Sequence, residues 1–142
     1  MKKLKPIFTV ILCLTLACSL TLPVFAVDAR LSHGSSTSYG FGITDTGYSE
    51  LSVEFTGNGT SYTHVTVETY IQKRSLGFIW TKVDNGQDNK TWVDTSTDVI
   101  GMFVHSLQLN DTGTYRAVFK ITFSGTGAAD DVIEDKIERT YS

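Results

Sequence analysis

The segment Leu107–Phe123, LQLNDTGTYRAVFKITF, decides how the rest of the chain reads. From Tyr115 onward it alternates: Tyr115, Ala117, Phe119, Ile121 and Phe123 fall on one face, Arg116, Val118, Lys120 and Thr122 on the other. Successive side chains of a strand point to opposite faces, so this is a half-buried antiparallel strand whose apolar side other strands must cover. Asp111, Gly113 and Tyr115 introduce it as a turn. The Asp side chain can cap backbone N–H groups, and the Tyr can bury its ring while its hydroxyl reaches a backbone carbonyl.

Working outward, the upstream segments supply the covering strands. Ser49–Thr56 sets Leu51, Val53 and Phe55 against Ser52, Glu54 and Thr56, and Gly57, Asn58 and Gly59 then read as a tight hairpin turn. Ser61–Lys73 is the longest strand, with Val65, Val67, Thr69 and Ile71 opposite His64, Thr66, Glu68, Tyr70 and Gln72. Phe78–Val83 has apolar residues on both faces, and Trp80 is the expected core tryptophan. Val99–His105 is apolar on both faces too and is expected to be buried on both sides. Val132–Tyr141 fits a helix stripe of Ile133, Ile137 and Tyr141 or a strand; a sheet containing the 115–123 strand needs a last antiparallel partner, which favours the strand.

The first 26 residues read as a secretory signal peptide: Lys2, Lys3 and Lys5 precede a mostly apolar run, with Val24 and Ala26 at the cleavage positions. A membrane anchor over Ile7–Ala26 and lipidation at Cys18 are the alternatives. Cys13 and Cys18 both lie in this segment. The expected mature chain is therefore a cysteine-free, exported domain resting on its hydrophobic core or a bound metal. Residues 27–38, small and polar, read as a flexible N-terminal arm and 39–142 as one β-sandwich domain. Removing the three leader lysines takes 12 basic residues to 9 against 15 acidic ones, a net charge near −6. That balance argues against nucleic acid or an anionic membrane as partner and for a soluble extracellular protein.

Asp111, Gly113 and Tyr115 resemble the D-x-G-x-Y motif of the immunoglobulin superfamily, where the tyrosine closes a corner before a strand. The cysteine expected two residues later in that superfamily is replaced by Ala117. A broader resemblance is to small uncharacterised secreted proteins of Gram-positive bacteria, carried by Glu68–Arg74, VETYIQKR with Val67, and by Gly113–Phe123. The strand alternation points to an all-β antiparallel sandwich with Phe55, Trp80, Phe119 and Ile121 in its core, and the resemblance implies that it is an immunoglobulin-like antiparallel β-sandwich of about seven strands. It carries no activity with it.

The chemistry-bearing residues are sparse. His33, His64 and His105 are far apart, and no serine, histidine and acid arrangement or mature-chain thiol presents itself. Asp84 and Asp88, in the loop DNGQDNK, are the candidate metal ligands, and calcium (Ca2+) is the ion that would use such oxygens, although the spacing lacks a calcium loop's later glutamate. Tyr70 and Trp92 are the candidate ligand-binding aromatics, against an ordinary role as cross-strand pairs. The reading is thus a secreted, non-catalytic protein acting by surface interaction with a protein or glycan at the cell surface, with no nucleic acid and no stable membrane insertion after cleavage. A carbohydrate-binding module using Tyr70 and Trp92, and a small hydrolase or inhibitor, are the alternatives. No proline follows Pro23 to protect a sheet edge, so a homodimer by edge-strand pairing is open to this chain.

Overall fold

A computed structural model describes residues 31–142, and in it the alternating segments become eight strands. They are β1 (Gly34–Ile43), β2 (Tyr48–Gly57), β3 (Tyr62–Ser75), β4 (Ile79–Lys82), β5 (Trp92–Ser96), β6 (Ile100–Gln108), β7 (Gly113–Gly125) and β8 (Asp131–Tyr141). One antiparallel sheet runs β1-β2-β6 and the other β4-β3-β7-β8, with β5 also paired to β3. Along the edge of β3 away from β7, β5 takes Val65–Thr69 and β4 takes Gln72–Ser75. Consecutive strands β2 and β3 lie in different sheets, as do β6 and β7, which makes the topology immunoglobulin-like.

Two parts of the expected fold class are corrected. There are eight strands where about seven were expected. The chain is also not cysteine-free, since it contains Cys13 and Cys18; both lie outside the described residues, as do the expected signal segment and the lipidation alternative at Cys18. Residues 31–142 contain no cysteine, so no disulfide joins these two sheets, and the core must do so.

That core follows from the period of two. Leu51, Val53 and Phe55 on β2 face Val65, Val67 and Ile71 on β3 and Tyr115, Ala117, Phe119, Ile121 and Phe123 on β7, all buried. Each large apolar side chain removed from water contributes about 1.5–3 kcal/mol, enough in sum to replace a covalent link between the sheets. Trp80 is not among them. Its register partner is Arg74, whose parity on β3 points away from the core, so the tryptophan sits half-buried on the outer face of the sheet. Val83, of opposite parity, packs against the core instead.

Two connections differ from the sequence reading. Gly57, Asn58 and Gly59 do not make a hairpin, because β2 and β3 belong to different sheets. They form a corner in which Asn58 Oδ1 accepts the N–H groups of Thr60 and Ser61 at 3.1 and 2.9 Å. Residues 34–38, expected within the arm, are the first half of β1, where Ser36, Thr37 and Ser38 lie opposite Thr56, Phe55 and Glu54.

Candidate functional site

Tyr70 and Trp92 lie on opposite faces of the same sheet. Trp92 is the register partner of Thr69, an inward residue of β3, and is only 9% exposed. Tyr70 points outward, where Lys82 Nζ lies 4.1 Å from its ring centroid. The expectation of Trp92 as an exposed ligand platform is therefore corrected: its polar sequence neighbours, Lys90, Thr91 and Asp94, do not set the face, the pairing with β3 does. The two rings cannot form one planar row for a sugar, and a cation already covers the only one of them that faces solvent.

The concave part of this outer face is polar. A depression of about 560 Å³ is lined by Glu68, Lys82, Gln87, Asp88, Asn89 and Val93 among others. A smaller one of about 260 Å³ adjoins it across Glu68, Lys82 and Thr91 and reaches Tyr70 and Lys120. Glu68 is engaged by Lys120 at 3.2 Å, and Lys82 donates to Thr91 Oγ1 at 2.8 Å. Asp84, the first candidate metal ligand, accepts the Gly86 N–H at 3.0 Å, and Asp88 opens a single 3-10 turn, Asp88–Lys90. No group of three or more His, Cys, Asp or Glu side chains able to hold a metal ion is present among the described residues.

The corner before β7 is closed by Tyr115, whose hydroxyl donates to the Asp111 carbonyl at 2.5 Å. Asp111 uses its carboxylate elsewhere, on Lys73 Nζ at 3.2 Å. Gly113 enters the strand at φ +147, a backbone region that side chains with a Cβ seldom adopt. These residues shape the fold and present no reactive group.

Three polar clips tie the sheets together at their sides. At one side, Asp131 accepts the N–H groups of Ser32, His33 and Gly34 at 2.9, 2.6 and 3.0 Å. Partial burial works to raise its pKa, but the three donors outweigh it and hold the carboxyl below the usual carboxylate range. His33, expected in a mobile arm, is fully buried there, with Nδ1 3.0 Å from Ser61 Oγ and Nε2 3.3 Å from the Ala128 carbonyl. Nearby, the Tyr39 hydroxyl on β1 donates to Asp135 on β8; this bond raises the tyrosine pKa and lowers the aspartate's. At the other side, His105 on β6 meets Asp94 and stacks on Trp92, both on β5. No sequence signal pointed to these clips, because their partners are 11 to 99 residues apart.

What remains exposed is unusual in being apolar and grouped. β6, expected to be buried on both sides, is an edge strand with only β2 beside it. Its inward residues Phe103, His105 and Leu107 reach the interior, while Ile100, Met102 and Val104 are 73%, 57% and 45% exposed. The other group is the tip of the β3–β4 hairpin, where Leu76 and Phe78 are 82% and 76% exposed. The tip is a tight turn with Leu76 at φ +51 and Gly77 at φ +82, closed by Phe78 N–H to the Ser75 carbonyl at 3.3 Å. A left-handed conformation costs a residue such as leucine about 1–2 kcal/mol, so this side chain sits at the tip despite the local backbone preference.

No protein-family model and no curated protein sequence matches the chain. Among solved structures, the chain is similar to the CARDB domain of a Pyrococcus furiosus protein solved in complex with di-metal ions, at 12% identity and a TM-score of 0.44, over 75% of this chain and 89% of that one. It is similar also to a protein from Archaeoglobus fulgidus, at 16% identity and a TM-score of 0.35, over 77% and 98% of the two chains. Both sources are archaeal, and the Gram-positive resemblance drawn from the sequence gains no support from them. At these values neither likeness bears on what this chain binds.

Proposed function

We propose that this chain is a secreted, non-catalytic β-sandwich that works by surface interaction, and that β6 is the edge through which it pairs with a second copy of itself. The observation that carries this reading is the open edge of β6: only β2 lies beside it, and its outward row Ile100, Met102 and Val104 is apolar and would meet the same row of a second copy as cross-strand neighbours. A nine-residue edge strand without Pro, Lys, Arg, Asp or Glu lacks the features that normally block edge-to-edge pairing. Self-pairing also places no like charges opposite one another, and a two-fold axis lets the same edge serve both copies. A register centred on Met102 sets Ile100 of one copy against Val104 of the other, joining two three-stranded sheets into one of six.

The carbohydrate-module reading is weaker, because Tyr70 and Trp92 share no face. Hydrolase chemistry would need an acid and base poised in the polar depression, where Glu68 is held by Lys120. Sedimentation velocity over a range of concentrations tests the proposal. A reversible dimer that M102K converts to monomer supports it. A monomer throughout, or a dimer indifferent to M102K, would remove β6 from the account.

A further inference from the structure

We infer that the β3–β4 hairpin tip is a docking device for a lipid bilayer that displays anionic phosphate headgroups, separate from the β6 edge. The side chains are layered along the hairpin. Leu76 and Phe78 are outermost, and Ile79 is exposed just behind them. Trp80 comes next, lying on the outer face with the Arg74 guanidinium 5.7 Å and the Arg116 guanidinium 4.1 Å from its ring. Lys82 follows one step further back on the same face, over Tyr70.

This sequence of apolar tip, indole and cations matches the sequence of environments met on entering a membrane surface, from acyl chains out through the interfacial layer to the phosphates. The cations are free to take such phosphates. Among the described residues the ion pairs are Lys73–Asp111, Lys120–Glu68 and His105–Asp94, so Arg74, Arg116 and Lys82 have no carboxylate within 4.0 Å. Their contacts are neutral: Arg74 donates to Thr114 Oγ1 at 3.2 Å, Arg116 to Gln72 Oε1 at 2.7 Å and Lys82 to Thr91 Oγ1 at 2.8 Å. Glu138 stands opposite Arg116 in register without pairing to it.

A protein partner for the same tip would be expected to offer carboxylates and a fitted pocket; a bilayer needs only the layered order. Net negative charge, which argued against an anionic membrane at the level of the whole chain, does not describe this end of one sheet. The contact is peripheral and reversible, since one hairpin tip enters only the interfacial layer and no helix among the described residues is long and apolar enough to cross a membrane.

Co-sedimentation of the purified protein with vesicles tests this, comparing phosphatidylcholine alone with an equal mixture of phosphatidylcholine and phosphatidylglycerol. Binding to the mixed vesicles only, with Trp80 emission shifting to the blue, is the expected result. The L76N/F78S double variant should weaken it by about tenfold or more, and R74Q and R116Q by about fivefold each. All four positions lie on the outer surface, and L76N eases the turn, so thermal melts should confirm intact folding. Failure to bind the mixed vesicles, equal binding to phosphatidylcholine alone, or undiminished binding by L76N/F78S would overturn the inference. Capture of a soluble protein by the tip without vesicle binding would overturn it as well.

Discussion

His105 Nε2 lies 2.5 Å from Asp94 Oδ2, and its ring stacks on Trp92 at 4.9 Å with the planes 7° apart. Asp94 and Trp92 belong to β5 in one sheet and His105 to β6 in the other, so a side-chain contact holds β6 to the opposite sheet. The contact acts on the inner face of β6 alone. It fixes the strand while leaving its outer row of Ile100, Met102 and Val104 open.

Replacing His105 by Ala should therefore cost about 1–3 kcal/mol of stability, through the lost bond to Asp94 and the lost stack. Urea unfolding measures this, and the native emission of Trp92 should shift to the red as water reaches the ring. A variant as stable as the parent, with unchanged emission, would mean that the clip holds nothing.

The inner and outer faces of the β4-β3-β7-β8 sheet predict unequal costs for two aromatic deletions. Phe119→Ala opens a cavity in a fully buried site and should cost about 3–5 kcal/mol. Trp80→Ala removes a half-buried ring from the outer face and should cost about 1 kcal/mol or less. Equal losses in denaturant midpoint would place Trp80 back in the core.

Asp131 supplies the pH dependence. Its folded pKa lies below the usual carboxylate range, so its stabilising contribution is full above that range and fades as pH falls through the lower folded pKa. Asp131→Asn should destabilise the protein by about 1–2 kcal/mol at neutral pH, and the gap to the parent should close in acid. Unfolding curves at neutral and strongly acidic pH check this; a gap of constant size would show that the stabilisation does not depend on the charge of the Asp131 carboxylate.

Much of the fold was readable because β2, β3 and β7 alternate cleanly, and a period of two leaves only one way to bury such strands. The failures share a cause. In Phe78–Val83 both faces carry apolar residues, and in Thr91–Val93 the strand is too short to show its phase, so the sequence could not say which tryptophan turned inward. The answer lay in the partners, Arg74 for Trp80 and Thr69 for Trp92. His33 was hidden for a different reason: its neighbours Gly34, Ser35 and Ser36 are as polar and small as a linker's, while the groups that bury it come from Ser61, Ala128 and Asp131. For β6 the expectation of burial on both sides failed because an apolar row does not reveal whether a strand is central or at an edge; β6 has only β2 beside it, and Ile100, Met102 and Val104 stay exposed.

Amide hydrogen exchange along β6 at rising protein concentration tests the pairing edge most directly. The account predicts that amides within Ile100–Gln108 that point away from β2 become protected as concentration rises, while those of β1 and β8 do not change. Protection of β6 that is independent of concentration would contradict it.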